Sequence, residues 1–168
     1  RMRLDHFIAK SLRVSERTAR EAIASGQAAI NGEVERNHLS EVSQFCEVTH
    51  RGDTVQSAGK RRYLMLNKPV GVLSATSDKQ HTTVVDLIDL PDRDTLHLAG
   101  RLDRSSSGLV LLTNDGEWSA SLTEPERKVD KVYLVETDRP IPPGAPERFA
   151  EGFPFSPENI TTLPAKLE

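Results

Sequence analysis

Cysteine is almost absent. Cys46 stands alone among 168 residues, which excludes a disulfide framework and a multi-cysteine zinc site. Long apolar runs are missing too. The longest span four or five residues, as at 109–112, far short of the roughly twenty that a membrane-crossing helix needs. No charged-then-apolar leader is read at the start, so no secretory signal is expected. Neither a Gly-x-Gly-x-x-Gly turn nor a Walker loop occurs, which leaves nucleotide cofactors unsupported. Ser105, Ser106 and Ser107 lack a Gly-x-Ser-x-Gly elbow, and His81 and His97 are too isolated to argue for a metal site. The expectation is a reduced, cytoplasmic protein of one ordinary domain or two small ones, without metal or membrane contact.

Net charge is also small, at −3, but it is unevenly spread. Residues 1–63 hold 11 Lys and Arg against 8 Asp and Glu, whereas residues 64–168 hold 11 against 17. The first twenty residues carry six basic side chains and two acidic ones. A basic module joined to a more acidic one fits this pattern, although ordinary surface charge fits it equally.

The periodicity orders the chain. Leu4, Phe7, Ile8 and Leu12 form one helical stripe. Ser15 is placed to cap a second helix carrying Ala19, Ala22 and Ile23 inward, with Arg17 and Arg20 as neighbours on one face. Gly26 reads as its left-handed terminator. Asn31-Gly32 between short β-prone runs is a hairpin signal. Further short strands are expected within 38–56, and the small, basic stretch 57–62 reads as a linker. Beyond it come a strand at 63–67 that Lys68-Pro69 stops, with 70–74 continuing past a bend, and a short helix at 82–88. Buried strands at 96–99 and 109–112 flank a polar loop, 100–108. A turn at 113–116, a helix through Trp118 and an alternating strand at 131–135 follow, then a helix near 147–153. The fold class is α+β: a small N-terminal module over 1–56, the linker, and a mostly antiparallel sheet with short helices over 63–168.

The loop 100–108 carries the most chemistry. Asp103 follows Arg101 by two residues and directly precedes Arg104, and nearby cations favour an ionised carboxylate. That suits a nucleophile or an electrostatic stabiliser better than a general acid. Spacing alone fits an Arg–Asp pair that merely orders a turn somewhat better than it fits catalysis. By the same standard Lys68-Pro69 reads as a strand end and Tyr133 as a strand aromatic.

Taken together, several stretches resemble known families. Residues 3–34, with Arg3-Leu4-Asp5, Ser15-x-Arg17-x-Ala19-Arg20, Ile23-x-x-Gly26 and Asn31-Gly32, resemble the S-four RNA-binding domain. Leu66-Asn67-Lys68-Pro69-x-Gly71, Gly100-Arg101-Leu102-Asp103 with Ser107-Gly108-Leu109, Thr113-Asn114-Asp115-Gly116 and Lys131-x-Tyr133 resemble ribosomal RNA pseudouridine synthases of the RsuA type. The resemblance implies isomerisation of uridine in ribosomal RNA, alone or in a pre-ribosomal particle, with no metal or organic cofactor. It implies Asp103 as the essential carboxylate, acting on ribose or base. Arg101 would hold the place of the flipped-out nucleotide or pair with Asp103, and Tyr133 would stack on the uracil. Arg3, Lys10, Arg13, Arg17, Arg20, Lys68 and Arg104 would contact RNA. The wording at 71–77 and 121–131 favours the small-subunit enzyme, and a monomer is expected because no helix shows a sustained apolar seam.

The family pattern continues about sixty residues further, within ordinary two-domain size, to a basic, glycine-containing motif that this chain does not reach. An incomplete synthase fold is therefore expected. Residues 1–168 alone should show little activity, with exposed sheet edges and apolar surface. Two other readings compete: a non-catalytic RNA-binding protein with a degenerate synthase domain, and a glycosidic hydrolase. The hydrolase ranks last, because nothing pairs clearly with Asp103 as a second carboxylate.

Overall fold

The computed structural model describes residues 1–155 and 160–168. The chain forms two compact units, Arg1–Val129 and Asp130–Glu168. The first begins with β1 (Met2–Arg3), α1 (Leu4–Leu12) and α2 (Glu16–Ala24). The short strands β2 (Ala28–Ile30), β3 (Glu33–Glu35), β4 (Glu41–Val42), β5 (Val48–His50) and β6 (Asp53–Gln56) follow. Local chemistry explains their ends. The Ser15 side chain accepts from the Thr18 amide and caps α2. Gly26 ends it at φ +78°, where an added Cβ would meet the Arg36 guanidinium at 2.7 Å. Asn31 and Gly32 both adopt positive φ, as a tight hairpin turn requires, and join β2 to β3 in antiparallel register.

The sheet runs β3-β2-β5-β6, entirely antiparallel, while β1 pairs with β4. Leu4, Ile8, Ala19 and Ile23 from the helices pack with Ala28, Val42 and Val48 from the strands in one core. These residues are the inward stripe of each helix, so burying them fixes the helix pair against the sheet.

Past 57–62 lies a three-stranded antiparallel sheet of β7 (Tyr63–Lys68), β8 (His97–Leu98) and β9 (Gly108–Thr113), ordered β7-β9-β8. Full register between β7 and β9 runs from Tyr63 opposite Thr113 to Lys68 opposite Gly108. Val110 and Leu112 project to one face and meet Val72, Val84 and Val85 in a second core. The helix expected at 82–88 is a single 3₁₀ turn, Val85–Leu87, whose Val85 is buried beside Val84. Residues 70–74 do not prolong β7. Gly71 turns the chain at φ +91°, and only Leu73 bridges, to Thr83. Asp115 caps α3 (Gly116–Thr123) by accepting from the Glu117 and Trp118 amides.

The second unit holds α4 (Ala145–Glu151) and the antiparallel pair β10 (Pro154–Phe155) and β11 (Ile160–Thr161). The strand expected at 131–135 is not formed. Val132 and Leu134 are each 95% exposed. Alternation marks residues suited to a pleated surface, but a strand exists only where a neighbour completes its ladder. No helix among the described residues is long and apolar enough to cross a membrane.

Candidate active site

The loop between β8 and β9 leaves the sheet at Gly100, just after the Ala99 amide donates to the Leu111 carbonyl at 2.8 Å. It returns at Gly108. Both glycines take positive φ, at +106° and +128°, which lets the chain turn out of and back into the plane. Between them Leu102 points inward, packed against the second core, and the flanking Arg101 and Asp103 are exposed. The carboxylate is thus presented to solvent by a loop whose centre is anchored in the core.

Segment 68–74 holds that loop in place. The Gly71 amide donates to the Arg104 carbonyl at 2.8 Å, and Arg104 Nε donates back to the Gly71 carbonyl at 3.0 Å. Ser74 Oγ donates to the Leu102 carbonyl at 2.6 Å and accepts from the Leu102 amide at 3.0 Å. Asp103 therefore lies between two backbone anchors, and its own carbonyl accepts from the Ser106 amide at 3.0 Å. Its side chain is not drawn into a pair with Arg104, whose Nε is spent on Gly71. Beside the loop an open cleft of about 570 Å³ is lined by 74–77, Leu98, Gly100, Arg101 and Thr123.

Lys68 corrects an expectation. It is fully buried, and Nζ donates to the carbonyls of Pro69 at 3.0 Å and Val72 at 2.9 Å. An amine so placed does not reach a phosphate. It ties together the turn that in turn holds Arg104 and Leu102. Tyr133 belongs to the second unit, where it is 61% exposed.

The remaining cations expected at RNA lie in the first unit on and beside the helix pair, and all are exposed: Arg3, Lys10, Arg13, Arg17 and Arg20. Two of them share a partner the sequence reading passed over. Asp5 is fully buried. Arg3 donates to it through Nε at 3.1 Å and through Nη2, and Arg20 donates through Nε at 2.8 Å. Burial by itself would raise the Asp5 carboxyl. The hydrogen bonds from Arg3, Arg20 and the His6 amide outweigh it and hold the group at about 2. Arg20 also reaches Glu16 at 2.9 Å, and Arg17 pairs with Glu21 at 3.0 Å. The missed signal for Asp5 was its place in the first turn of α1, two residues after Arg3. For the frame at 71–74 it was the run Lys68-Pro69-x-Gly71, which spacing alone read as a strand end and the resemblance read as part of the synthase motif with Lys68 at RNA.

Comparison with known proteins gives a consistent picture. The family described as RNA pseudouridylate synthase matches residues 62–160. A protein of Pseudomonas aeruginosa named ribosomal small subunit pseudouridine synthase A is 47% identical over 99% of this chain, which spans 73% of that protein. Its namesake from Escherichia coli K12 is 40% identical over 99% of this chain, which spans 72% of it. A solved structure, titled crystal structure of pseudouridylate synthase, matches with a TM-score of 0.59 and 35% identity, covering all of this chain and 72% of the other.

Proposed function

The chain belongs to the RNA pseudouridylate synthase family, of the RsuA type, and from that premise we propose that Asp103 is its catalytic carboxylate. The reaction isomerises uridine in ribosomal RNA to pseudouridine. The bond from the base nitrogen to the ribose breaks, the uracil turns, and a ring carbon bonds to the same sugar carbon. The ring carbon gives up its proton and the freed nitrogen gains one, so nothing is oxidised or reduced and no co-substrate is consumed. The observation that supports Asp103 is its exposure on a loop pinned on both sides of it, within the matched segment. A carboxylate held in place and kept out of an ion pair suits attack on, or proton removal from, an extruded nucleoside.

Arg101, lining the cleft next to it, takes the position that the flipped nucleotide vacates. Tyr133 stacks on the uracil. Extrusion costs a few kcal/mol, least where the RNA is unpaired or distorted. Residues 1–56 serve as an S-four-type RNA-binding domain, 57–62 as its connection and 63–168 as the synthase domain. Arg3, Lys10, Arg13, Arg17 and Arg20, with Arg104 near the site, supply phosphate contacts. Lys68 has no part in them. The names of the relatives support small-subunit ribosomal RNA as the target. We further propose that the enzyme acts as a monomer, because no helix shows a sustained apolar seam, and in the cytoplasm.

The test is proton release. Full-length protein and its Asp103→Asn variant are incubated with ribosomal RNA carrying tritium on the uracil ring carbon. Release by the parent and none by the variant is expected; equal release by both would remove Asp103 from the mechanism.

A further inference from the structure

We infer that Ser74 is a positioning residue for Asp103, one whose hydroxyl sets the direction of the carboxylate without touching RNA. The inference rests on the reading of Asp103 as the catalytic group. It starts from a feature of the loop: Leu102 sits where the chain has left the sheet, so no strand is available to pair its amide and carbonyl. One side-chain atom serves both. Ser74 Oγ accepts from the Leu102 amide at 3.0 Å and donates to the Leu102 carbonyl at 2.6 Å.

The consequence follows from peptide planarity. The Leu102 amide belongs to the plane shared with Arg101, and the Leu102 carbonyl belongs to the plane shared with Asp103. Holding both fixes the two planes that flank Leu102, and so fixes the backbone from which Arg101 and Asp103 project. Gly71 then holds the far side through Arg104. Ser74 itself is 7% exposed. The single proton of its hydroxyl is committed to Leu102, so although the residue lines the cleft, its side chain has no donor left for a substrate. A group with its proton spent on the catalytic loop acts through that loop.

Three variants of the full-length protein decide the matter: Ser74→Ala, Ser74→Cys and Asp103→Asn. Each is assayed for the single-turnover rate of tritium release, for RNA affinity, and for hydrogen exchange at the Leu102 amide. Ser74→Ala should lower the rate constant about 10- to 100-fold while RNA affinity stays within about twofold, because sub-ångström to ångström misplacement of a reacting group costs that much. Leu102 exchange should rise in step. Ser74→Cys, similar in volume but a weaker donor and acceptor, should fall between parent and alanine. A parental rate in Ser74→Ala, with Asp103→Asn inactive, would overturn the inference while leaving the catalytic reading intact. A rate loss matched by an equal loss of RNA affinity would also overturn it, by making Ser74 an RNA contact. If Ser74→Ala fails to fold, Ser74→Cys decides alone, an intermediate rate supporting the inference and an unchanged rate ending it. An active Asp103→Asn would instead fail the reading on which all of this rests.

Discussion

Asp5 and Lys68 are both charged side chains without solvent exposure, and their partners make them opposites. Asp5 keeps its charge because hydrogen bonds from three residues outweigh its burial. Its folded pKa, about 2, lies below the ordinary 3.8, so the stabilisation it provides is present at neutral pH. That stabilisation is lost as pH falls from the ordinary carboxylate range through about 2. Asp5→Asn should therefore cost about 2 kcal/mol near neutrality, the scale of hydrogen bonds to a charged group, and the gap between parent and variant should close in acid. Denaturant unfolding of both proteins from about pH 6 downward measures this; a gap constant with pH would assign the interaction to shape rather than charge. Lys68 donates to two carbonyls, those of Pro69 and Val72, and among the described residues meets no carboxylate. Lys68→Met strands those carbonyls, at about 1–3 kcal/mol each, but it also removes an amine whose burial costs several kcal/mol. The two effects nearly cancel. Unfolding should show little change in stability, RNA affinity should hold, and the rate of tritium release should drop as segment 68–74 loosens.

What could be read from the sequence divides by whether the cause is local. The Ser15 cap, the Gly26 terminator and the Asn31-Gly32 hairpin act within four residues of themselves, and each stands in the structure as expected. The strand at 131–135 needs a distant partner, and the burial of Lys68 depends on how 69–72 folds back over it; neither cause lies in the local pattern. The exposed loop at 100–108 was readable because its bordering glycines mark it, whereas the Ser74–Leu102 pair spans 28 residues. Local causes give local costs. Gly32 has φ +83° with nothing within 4 Å of an added Cβ, so Gly32→Ala meets backbone strain alone and should lower stability by about 1 kcal/mol, as read by denaturant midpoint. The helix pair offers the matching test of docking. Arg3 and Arg20 are tied to Asp5, so removing them confounds stability with binding. Lys10 and Arg13 are exposed and carry no such burden. Lys10→Ala with Arg13→Ala should weaken RNA binding and flatten its dependence on salt by about one to two counterions, without moving the unfolding midpoint. An unchanged salt slope would take this pair out of the interface.

Across the unit Arg1–Val129, two cores are joined through a stretch with the composition of a loose tether but the bonding of a joint. Asn114 sits at its centre. Its side chain accepts from the Arg62 amide and donates to the Lys60 carbonyl, each at 2.9 Å, and its own carbonyl accepts from Gln44 Nε2 at 2.9 Å. The Gly59 amide donates to the Gln44 carbonyl at 2.8 Å, so close that an added Cβ would meet that oxygen at 2.6 Å. The Arg61 guanidinium lies 4.7 Å from the Phe45 ring centre and 3.4 Å from Asp115, while Arg62 grips Asp92 with two nitrogens. The helix pair is thus held at a set distance from Asp103, which matters if RNA bound by one must present a uridine to the other. Asn114→Ala removes the two side-chain bonds. Water can replace both partners, so global stability should fall by only about 1 kcal/mol, but local opening of 57–62 becomes cheaper. Trypsin should then cut at Lys60, Arg61 or Arg62 faster than in the parent, and RNA affinity should drop as the two sites lose their fixed spacing. Cleavage at the parental rate would mean that the Arg61 and Arg62 contacts hold the joint without Asn114, and the double variant with Arg62→Ala would then be the one to open it.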